Sequence, residues 1–460
     1  MVILLKIVQV LLALSLLVVV HELGHFTFAK LFKTRVEKFY LFFNPKFSLL
    51  RFKRFGGKLH CKAFAKNEDP EWDQYPESTE YGIGWLPFGG YCKIAGMIDE
   101  SMDTEAMKLP PQPYEFRTKP AWQRFFIMFG GVLFNFLLAI GLYACIFRAW
   151  GEEYLRNDDA VYGIAVNDLS YEIGFRDGDR ILAFDGVPTE NFQNLQVDLV
   201  RSQAREATVL RDGDTVTVQI DPVYIPAMLS TPGMFDLAFP FVVKELQENS
   251  PNLGSGLLAG DELVAVDGQG MFIVQEIQRE LARHKDSEIT ASVKRPGDLV
   301  DIPLQVDTAG HIGVLLDTDL NKWFNVTRKE YTAFTAIPAG AERTWKTIKG
   351  YVQELGLIFS PKTQAYKNVG SFIAIGRVFP DSWDWYRFWS LCALLSIMLG
   401  VMNLLPIPAL DGGHILFLIF EMITRRRPSD KFMEVAQWIG MILLLLLMVM
   451  AFGNDIRSLF

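Results

Sequence analysis

Four stretches of the 460-residue chain are apolar over about the 20 residues that a helix needs to cross a bilayer. The first runs from Val2 through Val20 with Lys6 as its only charge, and its helical pattern continues through His21 and His25 to about Leu31. The second, Phe125 to Phe147, is uncharged. The third, Phe388 to Leu410, is uncharged too, but it contains Pro406 and Pro408 and leads into Asp411-Gly412-Gly413 before turning apolar again to Phe420. Proline removes a backbone donor and clashes with the preceding turn, so this helix is expected to break near its far end. The fourth stretch runs from Val435 to Gly453. The first has no basic segment ahead of it and no small-residue cleavage site behind it, and reads as a span rather than a removable leader.

Between the second and third spans the pattern changes to short alternating runs, and one of them repeats. Gly174-Phe-Arg-Asp-Gly178-Asp179-Arg-Ile-Leu-Ala-Phe-Asp185-Gly186 recurs 82 residues later as Gly256-Leu-Leu-Ala-Gly260-Asp261-Glu-Leu-Val-Ala-Val-Asp267-Gly268. Each copy predicts a Gly-Asp turn, a short strand and an Asp-Gly hairpin turn. Further strands are expected at Ala207–Leu210 and Thr215–Ile220 around Asp212-Gly213, giving two copies of one small β-rich domain at 158–225 and 236–308. After them, Trp345, Ile348, Val352, Leu355 and Phe359 recur at helical spacing. They predict an amphipathic helix that lies on a membrane surface or packs on its own domain.

Composition sharpens the class. Half the residues are hydrophobic and only 21% are charged, which excludes disorder and low-complexity arrays. A net charge of -8 gives no support for a nucleic-acid partner. The local distribution of charge is more informative. Residues 30–66 hold eleven Lys or Arg against the single acid Glu37, and Arg425-Arg426-Arg427 with Lys431 follow the third span. Basic loops mark the cytoplasmic side, so residues 151–386 and both termini are expected outside. The four cysteines include no C-x-x-C pair, and none falls between 151 and 386.

The strongest chemical signal is His21-Glu22-Leu23-Gly24-His25. On a helix the two histidines lie on one face and can bind one zinc ion, with Glu22 beside them as a general base toward water. Ionisable groups at the end of an apolar span are costly and usually mark function. A catalytic zinc takes three protein ligands, so a third is needed from elsewhere. Asp411 is the natural candidate, as the carboxylate within the apolar runs of the later spans and beside a proline-broken helix. His414 competes from the same turn, and a helix N-cap is a second role open to Asp411.

These features in order, H-E-L-G-H in the first span, Phe134-Asn135-Phe136 after Gly130-Gly131 in the second, the tandem repeat, and Asn403-Leu-Leu-Pro406-Ile-Pro408-Ala-Leu410-Asp411-Gly412-Gly413-His414, resemble the bacterial site-2 intramembrane metalloproteases of the type that regulates sigma-E. The resemblance covers essentially the whole chain. It implies His21, His25 and Asp411 as zinc ligands, Glu22 as catalytic base, and Asn403, Pro406 and Pro408 as residues that hold the substrate beside the metal. It also implies that the outer repeats are PDZ domains. The segment Gly82 to Gly96, with Gly89, Gly90 and Tyr91, resembles the family's membrane re-entrant β-hairpin, which offers an edge strand to an extended substrate. A substrate helix must unwind before its peptide bond can be attacked, and strand addition satisfies the backbone it exposes. One departure is that the Gly-Pro pair usual before the third span is missing from Asn368 to Ala374, which leaves that approach more flexible.

The expected architecture is a polytopic α-helical membrane protein with four transmembrane helices and two β-rich PDZ domains on the outer side. It divides into a first span with HExxH at 1–31, a cytoplasmic basic loop with the re-entrant hairpin at 32–121, and a second span at 122–150. PDZ domains follow at 158–225 and 236–308, then an outer amphipathic segment at 328–386, a third span broken at the LDGG motif at 387–422, and a fourth at 432–453. The expected function is zinc-dependent cleavage within or near the transmembrane segments of single-span proteins. By the resemblance these are anti-sigma factors already trimmed outside, or remnant signal peptides, in a bacterial inner membrane, with the active site near the cytoplasmic side. The alternative is a non-catalytic membrane PDZ scaffold with a structural zinc site. The acids Asp177, Asp179, Asp212, Asp214, Asp261 and Glu262 predict an acidic PDZ surface that does not attract a carboxylate, which favours a size filter over C-terminal peptide binding. Oligomeric state stays open.

Overall fold

The computed structural model describes residues 2–87, 89–97 and 110–457, so Phe88 of the glycine-rich segment lies outside the described residues. The chain forms two units, Met1–Gly151 with Glu330–Leu355 and Val369–Phe460, and Glu152–Lys329 with Gly356–Asn368. In the first unit the helices Val2–Leu31, Ala121–Trp150, Trp385–Leu404 and Lys431–Arg457 are long and apolar enough to cross a membrane. The chain is a membrane protein with β-rich parts.

The first two spans approach closely because neither has a side chain at the crossing. A Cβ on Gly24 would lie 2.1 Å from the carbonyl oxygen of Gly130. The third span joins the second where the Ser396 hydroxyl donates to the Asn135 carbonyl at 2.8 Å. It ends at Leu404, and a separate helix Asp411–Thr424 follows the proline-containing connection. Leu410 occupies the cap position of that helix and no side chain caps it. Asp411 is therefore the first helical residue, not its N-cap, and its carboxylate is left for other partners.

The basic stretch after the first span is a sheet rather than a loop. Five strands pair in the order Lys58–Lys66, Phe47–Phe55, Glu80–Ile83, Val36–Leu41 and Tyr91–Ile94. Here the expected β-hairpin across Gly82–Gly96 is corrected. Glu80–Ile83 and Tyr91–Ile94 do not pair with each other but flank Val36–Leu41, the first in parallel and the second antiparallel. The bridge between Leu86 and Phe43 carries their connection across Val36–Leu41. Tyr91–Ile94 is nonetheless an edge strand of the sheet, as Lys58–Lys66 is at the other side. Part of the basic charge is structural, since buried Arg51 donates to Asp69 at 2.7 Å and stacks on Trp72.

The segment before the third span is tied down without a Gly-Pro pair, which corrects the expectation of a looser approach. Ser371 caps the helix Phe372–Val378, and its own N–H donates to Asp455 of the fourth span at 2.9 Å. Asn454 donates to the Val369 carbonyl at 3.0 Å.

In the second unit each copy of the repeat builds a small sheet around its own core. The strand Arg180–Phe184 and the hairpin Glu206–Arg211/Asp214–Gln219 correspond to Glu262–Val266 and Glu288–Arg295/Asp298–Gln305. Ile181, Leu199 and Val209 pack inside the first copy, and Leu263, Ile277 and Val293 inside the second. Each such side chain contributes roughly 1.5–3 kcal/mol on burial. The hairpin turns place Asp185 at φ 46° and Asp267 at φ 47°, the left-handed conformation that an Asp-Gly turn requires. The acidic-surface expectation is corrected here. Asp179 and Asp261 are buried, and each accepts a pair of hydrogen bonds from an arginine side chain, Arg211 at 2.7 Å and Arg295 at 2.6 Å, besides one from a backbone N–H, of Arg176 and Leu258. The same arginine side chains donate to the Gly174 and Gly256 carbonyls, so the Gly-Asp signature encodes an internal ion pair. Asp177 pairs with Arg279, while Asp212 and Asp214 stay exposed.

The helix Ala333–Phe359 carries Pro338 inside it, and Trp345, Val352 and Phe359 are exposed along it while Leu355 is buried.

Candidate metal centre

The site begins with helical spacing. His21 and His25 sit one turn apart near the end of the first span, both buried, with their rings 4.8 Å apart. The glycine crossing brings the second span against them, and a Cβ on Gly131 would lie 2.5 Å from His25 Nε2. This proximity supplies partners for the outer ring nitrogens. His25 Nδ1 lies 2.9 Å from the Ile127 carbonyl, and His21 Nδ1 lies 3.1 Å from the side-chain amide of Asn135.

The inner nitrogens turn toward Asp411. Its Oδ2 is 3.1 Å from His21 Nε2 and 3.3 Å from His25 Nε2, and the two Nε2 atoms are 3.2 Å apart. Oδ2 is buried yet makes no well-aligned hydrogen bond, an arrangement that suits a cation rather than a proton between the groups. Two imidazoles and a carboxylate, with room for a fourth ligand, match the donor set of an open zinc site. Among the described residues, His21, His25 and Asp411 are the one group of three or more His, Cys, Asp or Glu whose donor atoms converge, all within 4.8 Å. His414 is not part of it.

These residues open on a cavity of about 980 Å³, which Glu22, Asn403, Gly89, Gly90 and Tyr91 also line. The Cys92 backbone N–H stands beside Glu22, so the edge strand borders this carboxylate. Asn403 reaches the cluster, with Nδ2 3.4 Å from His21 Nε2. Pro406 and Pro408 are not among the lining residues; Pro408 instead backs onto Gly440 of the fourth span. Two neighbours carry no role in the sequence motifs. Asn135 had a signal, as the polar residue of Phe134-Asn135-Phe136 in an otherwise apolar run. The Cys92 contact had none, because a backbone donor leaves no mark on the sequence.

An HExxH helix, a carboxylate from a broken later span, and a cavity among apolar helices define a membrane-embedded metallopeptidase centre. A model of peptidase family M50 matches residues 9–65 and 72–447. The regulator of sigma-E protease RseP of Salmonella typhimurium (strain 14028s / SGSC 2262) is 28% identical over 97% of each chain. So is the protein of the same name from Escherichia coli (strain K12). A relative from Ralstonia nicotianae whose name includes the words zinc metalloprotease is 27% identical, again over 97% of each chain. The chain belongs to peptidase family M50. It is a site-2-type zinc metalloendopeptidase, and zinc is its cofactor.

Proposed function

We propose that the protein hydrolyses peptide bonds within or near the transmembrane segments of single-span proteins, with His21, His25 and Asp411 as zinc ligands and Glu22 as general base. The observation that carries this reading is the convergence of the three donor atoms beside Glu22 in one cavity that an edge strand also lines. Zinc, when bound, supplies Lewis-acid polarisation and lowers the pKa of a water molecule. Glu22 takes a proton from water and returns it to the leaving amide nitrogen. The Cys92 N–H of the edge strand stands beside that carboxylate. Asn403, Gly89, Gly90 and Tyr91 hold an unwound substrate strand against Tyr91–Ile94, whose edge position supports β-addition. Pro406 and Pro408 shape the connection that carries Asp411.

The substrates in this reading are outwardly trimmed anti-sigma factors or remnant signal peptides in a bacterial inner membrane. The two repeats act as PDZ domains outside the membrane, and the basic sheet and the active site lie toward the cytoplasm. Inward-turned Asp179 and Asp261 remove part of the electrostatic argument against carboxylate binding by the repeats, so their role as filter or receptor is decided by direct peptide-binding measurement.

The test is cleavage of a single-span reporter by purified protein in detergent, with a zinc chelator and with Glu22→Gln. Cleavage that stops in both cases, with Glu22→Gln retaining one zinc per chain, supports the reading. Zinc binding without any cleavage by the wild type would move the structural-zinc scaffold ahead.

A further inference from the structure

Asn135 lies beside the converging donors without being one of them. It is fully buried in the middle of the second span, where a polar amide is costly unless it is hydrogen-bonded. Its neighbour is His21. Because His21 directs Nε2 to His25 and Asp411, its Nδ1 faces the Asn135 amide at 3.1 Å.

A neutral imidazole carries one ring proton. When Nε2 binds a metal that proton is on Nδ1, where it needs an acceptor. His25 has a fixed one in the Ile127 carbonyl at 2.9 Å. For His21 the group in place is the Asn135 amide, and its nitrogen is a donor that cannot meet another N–H. The oxygen can. The two ends of the amide have nearly the same shape and exchange by a half-turn. Oδ1 is buried and makes no hydrogen bond where it lies, so nothing holds it away from His21. The Ser396 hydroxyl, donating to the Asn135 carbonyl at 2.8 Å, fixes the supporting turn to the third span.

We propose that Asn135 is a positioning residue whose side-chain oxygen accepts the Nδ1 proton of His21, locking the tautomer that leaves Nε2 free for zinc. This rests on the reading of His21 as a zinc ligand.

The test is zinc affinity of the full chain in detergent, by competition with a chromophoric chelator. Asn135→Leu removes the acceptor and is expected to weaken zinc binding about 10–100-fold. Asn135→Asp keeps an acceptor and cannot donate, so it is expected to stay close to wild type. Ser396→Ala, which loosens only the backbone support, is expected to keep its zinc. Wild-type affinity in Asn135→Leu, or equal loss in a folded Asn135→Asp, overturns the proposal. If Asn135→Leu does not fold, Asn135→Asp still tests the direction of the bond, because a donor role loses zinc in it and an acceptor role does not, and the shorter Asn135→Ala, which removes the acceptor without added bulk, takes the place of Asn135→Leu. His21→Ala separates the two levels: unchanged zinc there sinks the ligand assignment itself, whereas loss there with no loss in Asn135→Leu sinks only this proposal.

Discussion

Replacing Gly24 by alanine adds one methyl group at the tightest point between the first two spans. That carbon would lie 2.1 Å from the Gly130 carbonyl oxygen, about 1.2 Å short of the roughly 3.3 Å of an ordinary carbon–oxygen contact. The oxygen is a backbone atom and the new Cβ is fixed rigidly to a helical backbone, so no side-chain rotation relieves the clash and the spans must separate by about that distance. The separation acts on the links that reach from the second span to the histidines. The 2.9 Å contact of His25 to Ile127 and the 3.1 Å contact of His21 to Asn135 would each open by about 1 Å, beyond hydrogen-bond range. Overpacking of this kind costs about 1–3 kcal/mol in stability, while a misplacement of about 1 Å at a catalytic site costs about 100-fold in rate. We expect cleavage of a single-span reporter to fall by about two orders of magnitude, with weakened zinc binding and a smaller fall in melting temperature. Gly141 lies in the same second span with nothing within 4 Å of its Cβ position. Gly141→Ala is therefore the internal control, and helix propensity makes it neutral or more stable by about 1 kcal/mol. A Gly24→Ala protein that cleaves at the wild-type rate, or a Gly141→Ala protein equally damaged, would refute the reasoning.

Other perturbations separate the remaining roles. Asp411→Ala is expected to lose zinc while His414→Ala retains it, by elemental analysis of purified protein, because His414 stands outside the converging donors. Arg124→Ala leaves the half-buried Glu421 carboxylate without the buried guanidinium it pairs with, and is expected to destabilise the first unit by about 1–3 kcal/mol in thermal unfolding; replacing both residues by apolar ones recovers most of that loss. In the second repeat, hydrogen bonds from Arg295 hold the Asp261 carboxyl below its ordinary value. A carboxyl depressed in the folded state adds stability above its unfolded pKa, about 3.9, and loses it as pH falls through the folded value. Near neutrality the pair's contribution is thus expected to be complete and independent of pH, the second unit is expected to weaken below about pH 4, and Asp261→Asn is expected to flatten that dependence in circular-dichroism melts.

The apolar runs were legible because a membrane demands some 20 residues without charge, and little else in a sequence produces that pattern. The histidines were legible because a helix converts a spacing of four into a shared face. Asp411 needed a chemical step: nothing local joins residue 25 to residue 411, but an open zinc site lacking a third ligand narrowed the search to a carboxylate in an apolar run. Strand pairing was the weak point. The hairpin that the resemblance implied over Gly82–Gly96 would pair Glu80–Ile83 with Tyr91–Ile94, whereas Val36–Leu41 inserts between them. Pairing partners are set by long-range contacts that local alternation does not encode. The acids of the repeat misled for a related reason. A Gly-Asp turn looks like surface punctuation until the arginine 32 or 34 residues later, Arg211 or Arg295, folds back to bond it.

The same limit explains why the centre's supporting partners were harder to read than its candidate ligands. A ligand must be a particular residue type, so chemistry marks it. The groups around it act through the main chain: the Ile127 carbonyl at His25, the Cys92 N–H at Glu22, the Asn135 carbonyl under Ser396. Main-chain groups are the same at every position, and what brings them close is the absence of side chains elsewhere. Gly24 and Gly130 let the second span reach the histidines, and Gly412, whose Cβ would lie 2.1 Å from the Leu405 carbonyl oxygen, lets the helix of Asp411 fold back on its connection. Glycines set among apolar residues are therefore the trace in the sequence that such a support leaves. H-E-L-G-H carries its fourth letter for the approach of a neighbouring helix, just as it carries the other polar ones for chemistry.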